Sequence, residues 1–252
     1  MWDSGTVDVD AWTNEAAIAT WGATPRDFLE SLDPDGGFAK RHLINPAIFR
    51  LVGDAAGKRI LDAGCGQGYL SRLMAARGAN VIGVEPAGSL FDYAQEREEH
   101  FRQGIRYVRA DLAHMPDIGA FDVVIASMVL SAIPIWQPAM KACIEALAPG
   151  GLFVFSLNHP CFEMLASSWE EHGFVKINQY LSEYEILGPY GSAFHRPLSV
   201  YLNELSVLGC RLVEIVEPVL GGDALRDTDA GPGAEAYVEV PNFVIVAARA
   251  SW

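Results

Sequence analysis

The chain is short of positive charge. In 252 residues, 18 lysines and arginines stand against 32 aspartates and glutamates, a formal net charge of -14. A surface that negative repels phosphate backbones and anionic lipid, so neither nucleic acid nor a membrane surface is expected as a partner. Cysteine is also sparse. Cys65, Cys143, Cys161 and Cys210 are widely separated, with no CxxC pair and no histidine at zinc spacing. Neither a disulfide framework nor a metal site is therefore expected, and the setting reads as reduced and cytoplasmic. No apolar run approaches the roughly 20 residues of a membrane span. The opening "MWDSGTVDVDAW" is acidic and lacks the apolar stretch of a secretory leader.

What the chain does have is apolar content. Half of it is hydrophobic, enough for a packed core in one generous α/β domain. Residues 1–37 form an acidic arm carrying Trp2, Trp12 and Trp21 and closing on the turn "DPDGG". The tryptophans read either as a lid over a site or as anchors that dock the arm, anchoring being the commoner use. From Phe38 to Val52 apolar residues recur at helical spacing (Leu43, Ala47 and Leu51, with Ile44 and Ile48), and Pro46 kinks or restarts that helix.

An alternation follows. "RILDAG" reads as a strand, "YLSRLMAARG" as a helix with Leu70, Leu73 and Met74 on one face and a stop at Gly78, and "NVIGVEP" as a second strand. A charged helix through "LFDYAQEREEHFRQG" leads to the strands "IRYVRAD" and "FDVVIAS". The last of these is continuously apolar after its acid, as a parallel strand buried on both faces should be. Pro138–Leu147 predicts a helix ended by "APGG", before a fifth strand, "LFVFSL". The spacing predicts a doubly wound, mostly parallel sheet. After Leu157 the rhythm breaks: residues 158–196 are aromatic and polar and read as an irregular insertion over the sheet. "RPLSVYLNELSVLG" then predicts a helix with Pro197 in its first turn, and "RLVEIVEP" and "FVIVAARA" bring the strands to seven. The expected organisation is an arm, 1–37, and one domain, 38–252, interrupted by the 158–196 insertion.

Chemistry concentrates in "RILDAGCGQGYL". A glycine turn after the first strand of a parallel sheet faces the ligand crevice, and Gly64, Gly66 and Gly68 allow close backbone approach there. A triphosphate loop needs Lys-Ser/Thr after its last glycine, and Tyr69-Leu70 stands there instead. A dinucleotide turn is GxGxxG, whereas this one is GxGxG with Asp62 just before it, and a carboxylate beside a pyrophosphate is repulsive. The turn favours a ligand with positive charge and no phosphate, and Glu85, closing the second strand, suits a ribose diol.

Taken together, "LDAGCGQG", "VIGVEP", "ADLAHMP", "FDVVIASMVLSAI" and "LAPGGLFVFS" resemble, in order and spacing, the class I S-adenosylmethionine-dependent methyltransferases. "FSLNHPCF", "HRPLSVYLNEL" and "VEPVL" look like a bacterial small-molecule branch of the ubiquinone-biosynthesis type. The resemblance covers the chain from about Phe38 and implies a Rossmann-like fold with S-adenosyl-L-methionine as cofactor and a small-molecule methyl acceptor. A homodimer is the one protein partner it allows. It further implies that Ala63, Gly64 and Gly66 line the methionine and ribose part of the cofactor, with Asp62 near its amino group and Gly68 also among the cofactor-binding residues. Glu85 would hold the ribose, Pro86 pack near the adenine, Asp111 accept from its amine and Leu112 flank the ring. Ser127 and Met128 would border the sulfonium. Glu85 departs from the commoner aspartate. His159 and His195 are the candidate catalytic bases, with His42 a third histidine within plausible reach. Phe155, Phe162, Trp169, Tyr180 and Tyr190 could wall an organic substrate. The alternatives are a cyclase or decarboxylase on the same fold, or a non-catalytic cofactor-binding homologue.

Overall fold

The computed structural model describes residues 12–163, 165–227 and 229–252. Trp2 and the first part of the acidic arm lie outside them. Two short helices, α1 (Asn14–Trp21) and α2 (Arg26–Ser31), form the rest of the arm. The Thr13 hydroxyl starts α1 by accepting from Ala16 N at 3.1 Å, a standard end cap. A π-turn, Lys40–Ile44, then runs straight into α3 (Asn45–Val52). Pro46 explains the restart, because its nitrogen cannot donate back to the preceding turn and its ring crowds that turn, which widens.

Seven strands build the main sheet: β1 (Arg59–Ala63), β2 (Asn80–Val84), β3 (Arg106–Val108), β4 (Phe121–Ser127), β5 (Leu147–Asn158), β8 (Cys210–Val216) and β9 (Phe243–Ala250). Their spatial order is β3-β2-β1-β4-β5-β9-β8, and only β9 runs antiparallel to its neighbours. This is the doubly wound sheet read from the sequence. Alternate residues feed opposite layers. Leu61, Val124, Phe153 and Val246 pack with α6 (Gln137–Glu145) and α8 (Leu198–Val207). Ile60, Val123, Val154 and Ile245 pack with α3 and α4 (Tyr69–Ala75). Both faces of the central strands are covered, so β4, the core of β5 and β9 are nearly continuously apolar, while the edge strand β8 is largely exposed. Each such buried side chain contributes about 1.5–3 kcal/mol.

Four expectations are corrected. Residues 158–196 are not irregular: they hold α7 (Leu165–His172) and a hairpin, β6 (Tyr184–Leu187) with β7 (Ser192–His195). The helix before β5 stops at Glu145, and "APGG" lies inside β5, where Leu147 already pairs with Phe121. Pro197 caps α8 from outside rather than sitting in its first turn. α4 ends at Ala75, ahead of Gly78. Among the described residues, no helix is long and apolar enough to cross a membrane.

The chain steps outward from β1 through β2 to β3, then returns to β4 on the other side. The crevice at that switch, beyond the carboxyl ends of β1 and β4, is where such sheets take ligands. The arm lies across it. The insertion packs on the arm: Trp21 fills the space beside Gly191, Phe28 meets Tyr190 at 4.3 Å, and Trp12 meets Phe194 edge-on at 4.8 Å.

Candidate active site

The floor of the crevice is the glycine turn. Gly64, Gly66 and Gly68 take φ of 67°, 56° and 83°, the left-handed region that a Cβ penalises. Gly64 is also closed by contact, because a Cβ there would run into the side chain of Val129. The turn is tied to the end of β2: Gly64 N and Cys65 N both donate to Val84 O, at 2.8 and 3.0 Å.

Glu85 completes the tie. Its Oε2 accepts from Gly66 N at 2.9 Å and its Oε1 from Ala87 N at 2.8 Å. Its pKa is pushed up to about 7, by burial first, with these two backbone donors opposing the shift. Each oxygen keeps a lone pair free. Asp62 is buried behind the turn, where it accepts from Ser71 Oγ at 2.6 Å, and burial pushes its pKa up to about 6. Asp111 accepts from Ala113 N at 3.1 Å and lies 3.2 Å from His114 Nδ1. It caps the short turn 112–114 and borders the crevice as well. At the end of β4, Ser127 Oγ lies 3.2 Å from Ser156 Oγ. Met128, at φ 62°, then swings the chain off the sheet, its N–H donating to Ser156 O and Oγ at 3.0 and 3.1 Å. A non-glycine residue held in that conformation marks a constrained site.

These elements enclose a cavity of about 270 Å³. Of the residues expected at the cofactor, Gly64, Gly66, Glu85, Pro86, Asp111, Leu112, Ser127 and Met128 line it together. Asp62, Ala63 and Gly68 stand behind the wall. None of His42, His159 and His195 lines it. His159 Nδ1 accepts from Cys161 N at 3.2 Å, so its proton sits on Nε2, 2.9 Å from Glu217 Oε1. In His195, Nδ1 lies 2.7 Å from Glu163 Oε2 and Nε2 lies 2.9 Å from Tyr180 O, with the ring stacked on Tyr184. Burial lowers its pKa, but Glu163 and the Tyr180 carbonyl outweigh that and leave it above the ordinary value. His42 pairs with Asp227 at 2.7 Å.

Of the other half of the wall, the sequence reading named only Trp21, as a lid or an anchor. Asn14, Ile18, Trp21, Phe28 and Leu29 come from the arm, Lys40 from the π-turn, and Ile133 and Pro134 from the loop after β4. The Thr13 cap and the proline before Arg26 were the available signals for α1 and α2. The aromatic wall consists of Trp21, Phe28 and Tyr69, not of the insertion's rings. Asn14 clasps the loop through both backbone groups of one residue, donating to Ile135 O at 3.3 Å and accepting from Ile135 N at 2.9 Å. Buried Arg196 holds the same loop from the insertion, through Ile133 O at 3.2 Å and Pro134 O at 2.7 Å.

Known proteins share this arrangement. A family described as a methyltransferase domain matches residues 39–193. A ubiquinone biosynthesis O-methyltransferase of Idiomarina loihiensis is 37% identical over 130 residues, 49% of this chain and 54% of the relative. The chain thus spans about half the length of the curated relatives it matches. An S-adenosylmethionine-dependent methyltransferase structure from Mesorhizobium loti superposes with a TM-score of 0.67 at 27% identity, covering 81% of this chain and 96% of that one. A magnesium protoporphyrin IX methyltransferase from Synechocystis, solved with S-adenosylhomocysteine, shares the fold with a TM-score of 0.63 at 17% identity, covering 94% and 100%. The chain belongs to the methyltransferase-domain family, among its class I S-adenosylmethionine-dependent members.

Proposed function

We propose that this chain transfers a methyl group from S-adenosylmethionine to a small, largely apolar organic acceptor. The observation that carries the reading is Glu85. It is a buried carboxylate pinned by two backbone N–H groups at the rim of a glycine turn, with a free lone pair on each oxygen. A ribose diol offers two donors to those oxygens. Asp111 is available to an exocyclic amine, and Pro86 and Leu112 to the faces of a purine. The residues present therefore fit the cofactor, which supplies a methyl group activated by its positive sulfur.

The chain's own part is placement. Ser127, Met128 and Ile133 border the end of the cavity away from Glu85's ribose position, and the arm excludes water above them. The described part of the 1–37 arm, residues 12–37, acts as a lid in this reading, with the 158–196 insertion covering the acceptor pocket from behind the lid. His159 and His195, the catalytic candidates, receive fastening roles instead. Each ring nitrogen of His195 faces an acceptor, so that ring has no site from which to remove a proton. Rate then comes from holding the acceptor oxygen or nitrogen in line with the methyl carbon, about 3 Å away. The relatives' name, O-methyltransferase, supports an oxygen acceptor. A reducing, cytoplasmic setting is supported by Cys65 and Cys143, buried as free thiols.

Incubation of the chain with methyl-labelled S-adenosylmethionine and a panel of phenols and small carboxylic acids tests the reading. Label should pass to an acceptor as S-adenosylhomocysteine accumulates. Cofactor that binds but is never demethylated, across the panel, would move the chain to the cyclase or non-catalytic alternatives.

A further inference from the structure

The turn of the β6–β7 hairpin lies outside the cavity and yet touches its wall. Gly191 is buried there. Its φ is outside the left-handed region, so its backbone would accept other residues. What forbids a side chain is Trp21. A Cβ on Gly191 would meet Trp21 Cδ2 and Cζ2 at 2.5 and 2.6 Å, far inside the roughly 3.5–4.0 Å of an ordinary carbon contact.

Trp21 ends α1 and lines the cavity. Its backbone is pinned, because Trp21 O accepts from Thr24 N and Thr24 Oγ1 at 3.1 and 2.7 Å and from Ser89 Oγ at 3.4 Å. The hairpin is pinned as well. Gly188 N donates to Gly191 O at 2.9 Å across the turn, and the Tyr190 ring packs on Phe28. With both backbones fixed, a methyl group added at 191 must be taken up by the indole turning about its side-chain bonds. The indole Nε1 is buried without a hydrogen-bond partner among the described residues, so no such bond holds the ring in place. The empty space that the ring borders is the cavity, and the ring yields into it.

The arm's share of the cavity wall is otherwise apolar, through Ala17, Ile18, Phe28 and Leu29. Its two other polar side chains are spent, Asn14 on Ile135 and the Thr24 hydroxyl on Trp21 O. Selection at this end of the cavity therefore rests on size and shape.

We propose that Gly191 is a specificity-determining residue: without touching the ligand, it sets how far the Trp21 indole stands back, and so how large an apolar acceptor the cavity admits. The proposal rests on the methyltransferase reading, which assigns this end to the acceptor.

Calorimetry on the full chain tests it, with S-adenosylhomocysteine first and then phenol or 1-naphthol added to the saturated chain. The wild type must bind S-adenosylhomocysteine, and failure there overturns the methyltransferase reading itself. Gly191→Ala should weaken 1-naphthol binding about 10-fold or more, the scale of one methylene in an apolar pocket. Phenol should stay within about 3-fold and S-adenosylhomocysteine within about 2-fold, because neither needs the space the indole takes. Adding Trp21→Phe, a smaller ring, to Gly191→Ala should return 1-naphthol to within about 3-fold of wild type. A glycine that only stabilised the hairpin would weaken all three ligands together, and no smaller ring would repair that. If Gly191→Ala does not fold, Trp21→Phe alone carries the test and should favour 1-naphthol over phenol by about 3-fold or more relative to wild type. The proposal falls if the wild type takes S-adenosylhomocysteine but neither phenol, if Gly191→Ala affects both phenols equally, or if Trp21→Phe restores nothing.

Discussion

The two halves of the cavity wall are built in different ways. The half we assign to the cofactor lies within 65 residues of sequence, from Gly64 to Met128, on loops that each leave the carboxyl end of a strand. The half we assign to the acceptor joins segments far apart in the chain: Asn14 to Ile135, Arg196 to Pro134, and Trp21 to Gly191. In the first half, local backbone needs dictate residue type, because a left-handed turn requires glycine and the amides of Gly66 and Ala87, turned away from water, take a carboxylate as acceptor. In the second, residue type follows from whichever side chain arrives opposite. Specificity for the acceptor can therefore change without disturbing the cofactor turn.

The comparison breaks most sharply at Gly64. Gly64→Ala places a Cβ against Val129 and forces an L side chain to positive φ. We expect about 2–4 kcal/mol of lost stability and at least 100-fold weaker S-adenosylhomocysteine binding, seen by thermal unfolding and calorimetry. Binding retained within a few-fold would mean that the turn does not approach the ligand.

Glu85→Ala is the next largest. It should weaken cofactor binding by about 1–3 kcal/mol, by leaving two hydroxyls without a charged acceptor, and should also lower fold stability, because the N–H groups of Gly66 and Ala87 lose their partner. The same group sets a pH dependence. The ribose hydroxyls donate to the ionised form, so protonation competes with binding. With the Glu85 pKa near 7, affinity should be flat above that pH and fall by up to about tenfold per unit below it. In Glu85→Ala the slope should vanish.

On the acceptor half, Asn14→Ala removes both bonds to Ile135. It should lower kcat/KM for the acceptor by about 5–10-fold, in keeping with the loss of one or two hydrogen bonds. S-adenosylhomocysteine affinity should stay within about 2-fold. Equal losses for both ligands would erase the distinction between the halves. His159→Asn should have the smallest effect, turnover staying within a few-fold of wild type. A fall of 100-fold with cofactor affinity intact would restore His159 as a base.

This division also explains what was legible in the sequence. The central strands announced themselves because both faces of the sheet are covered there, and eight of the expected cofactor residues line the cavity because motif and geometry coincide. Asp62 looked like a ligand contact, yet Ser71, one turn into α4, claims its carboxylate. The histidines looked catalytic because imidazole suits a base, but their partners Glu217 and Glu163 lie 58 and 32 residues along the chain from them. α7 and the β6–β7 hairpin were hidden for a related reason. The hairpin packs on the arm and on the turn 130–132, and α7 on the turn 234–238, so no strict apolar period marks them.

The central claim is that this glycine turn and Glu85 hold a nucleoside without phosphate. Titrating the purified chain with S-adenosylhomocysteine and with NAD, side by side in a calorimeter at pH 8, tests it most directly. The account predicts one S-adenosylhomocysteine bound per chain and no measurable heat from NAD. NAD bound more tightly than S-adenosylhomocysteine would contradict it.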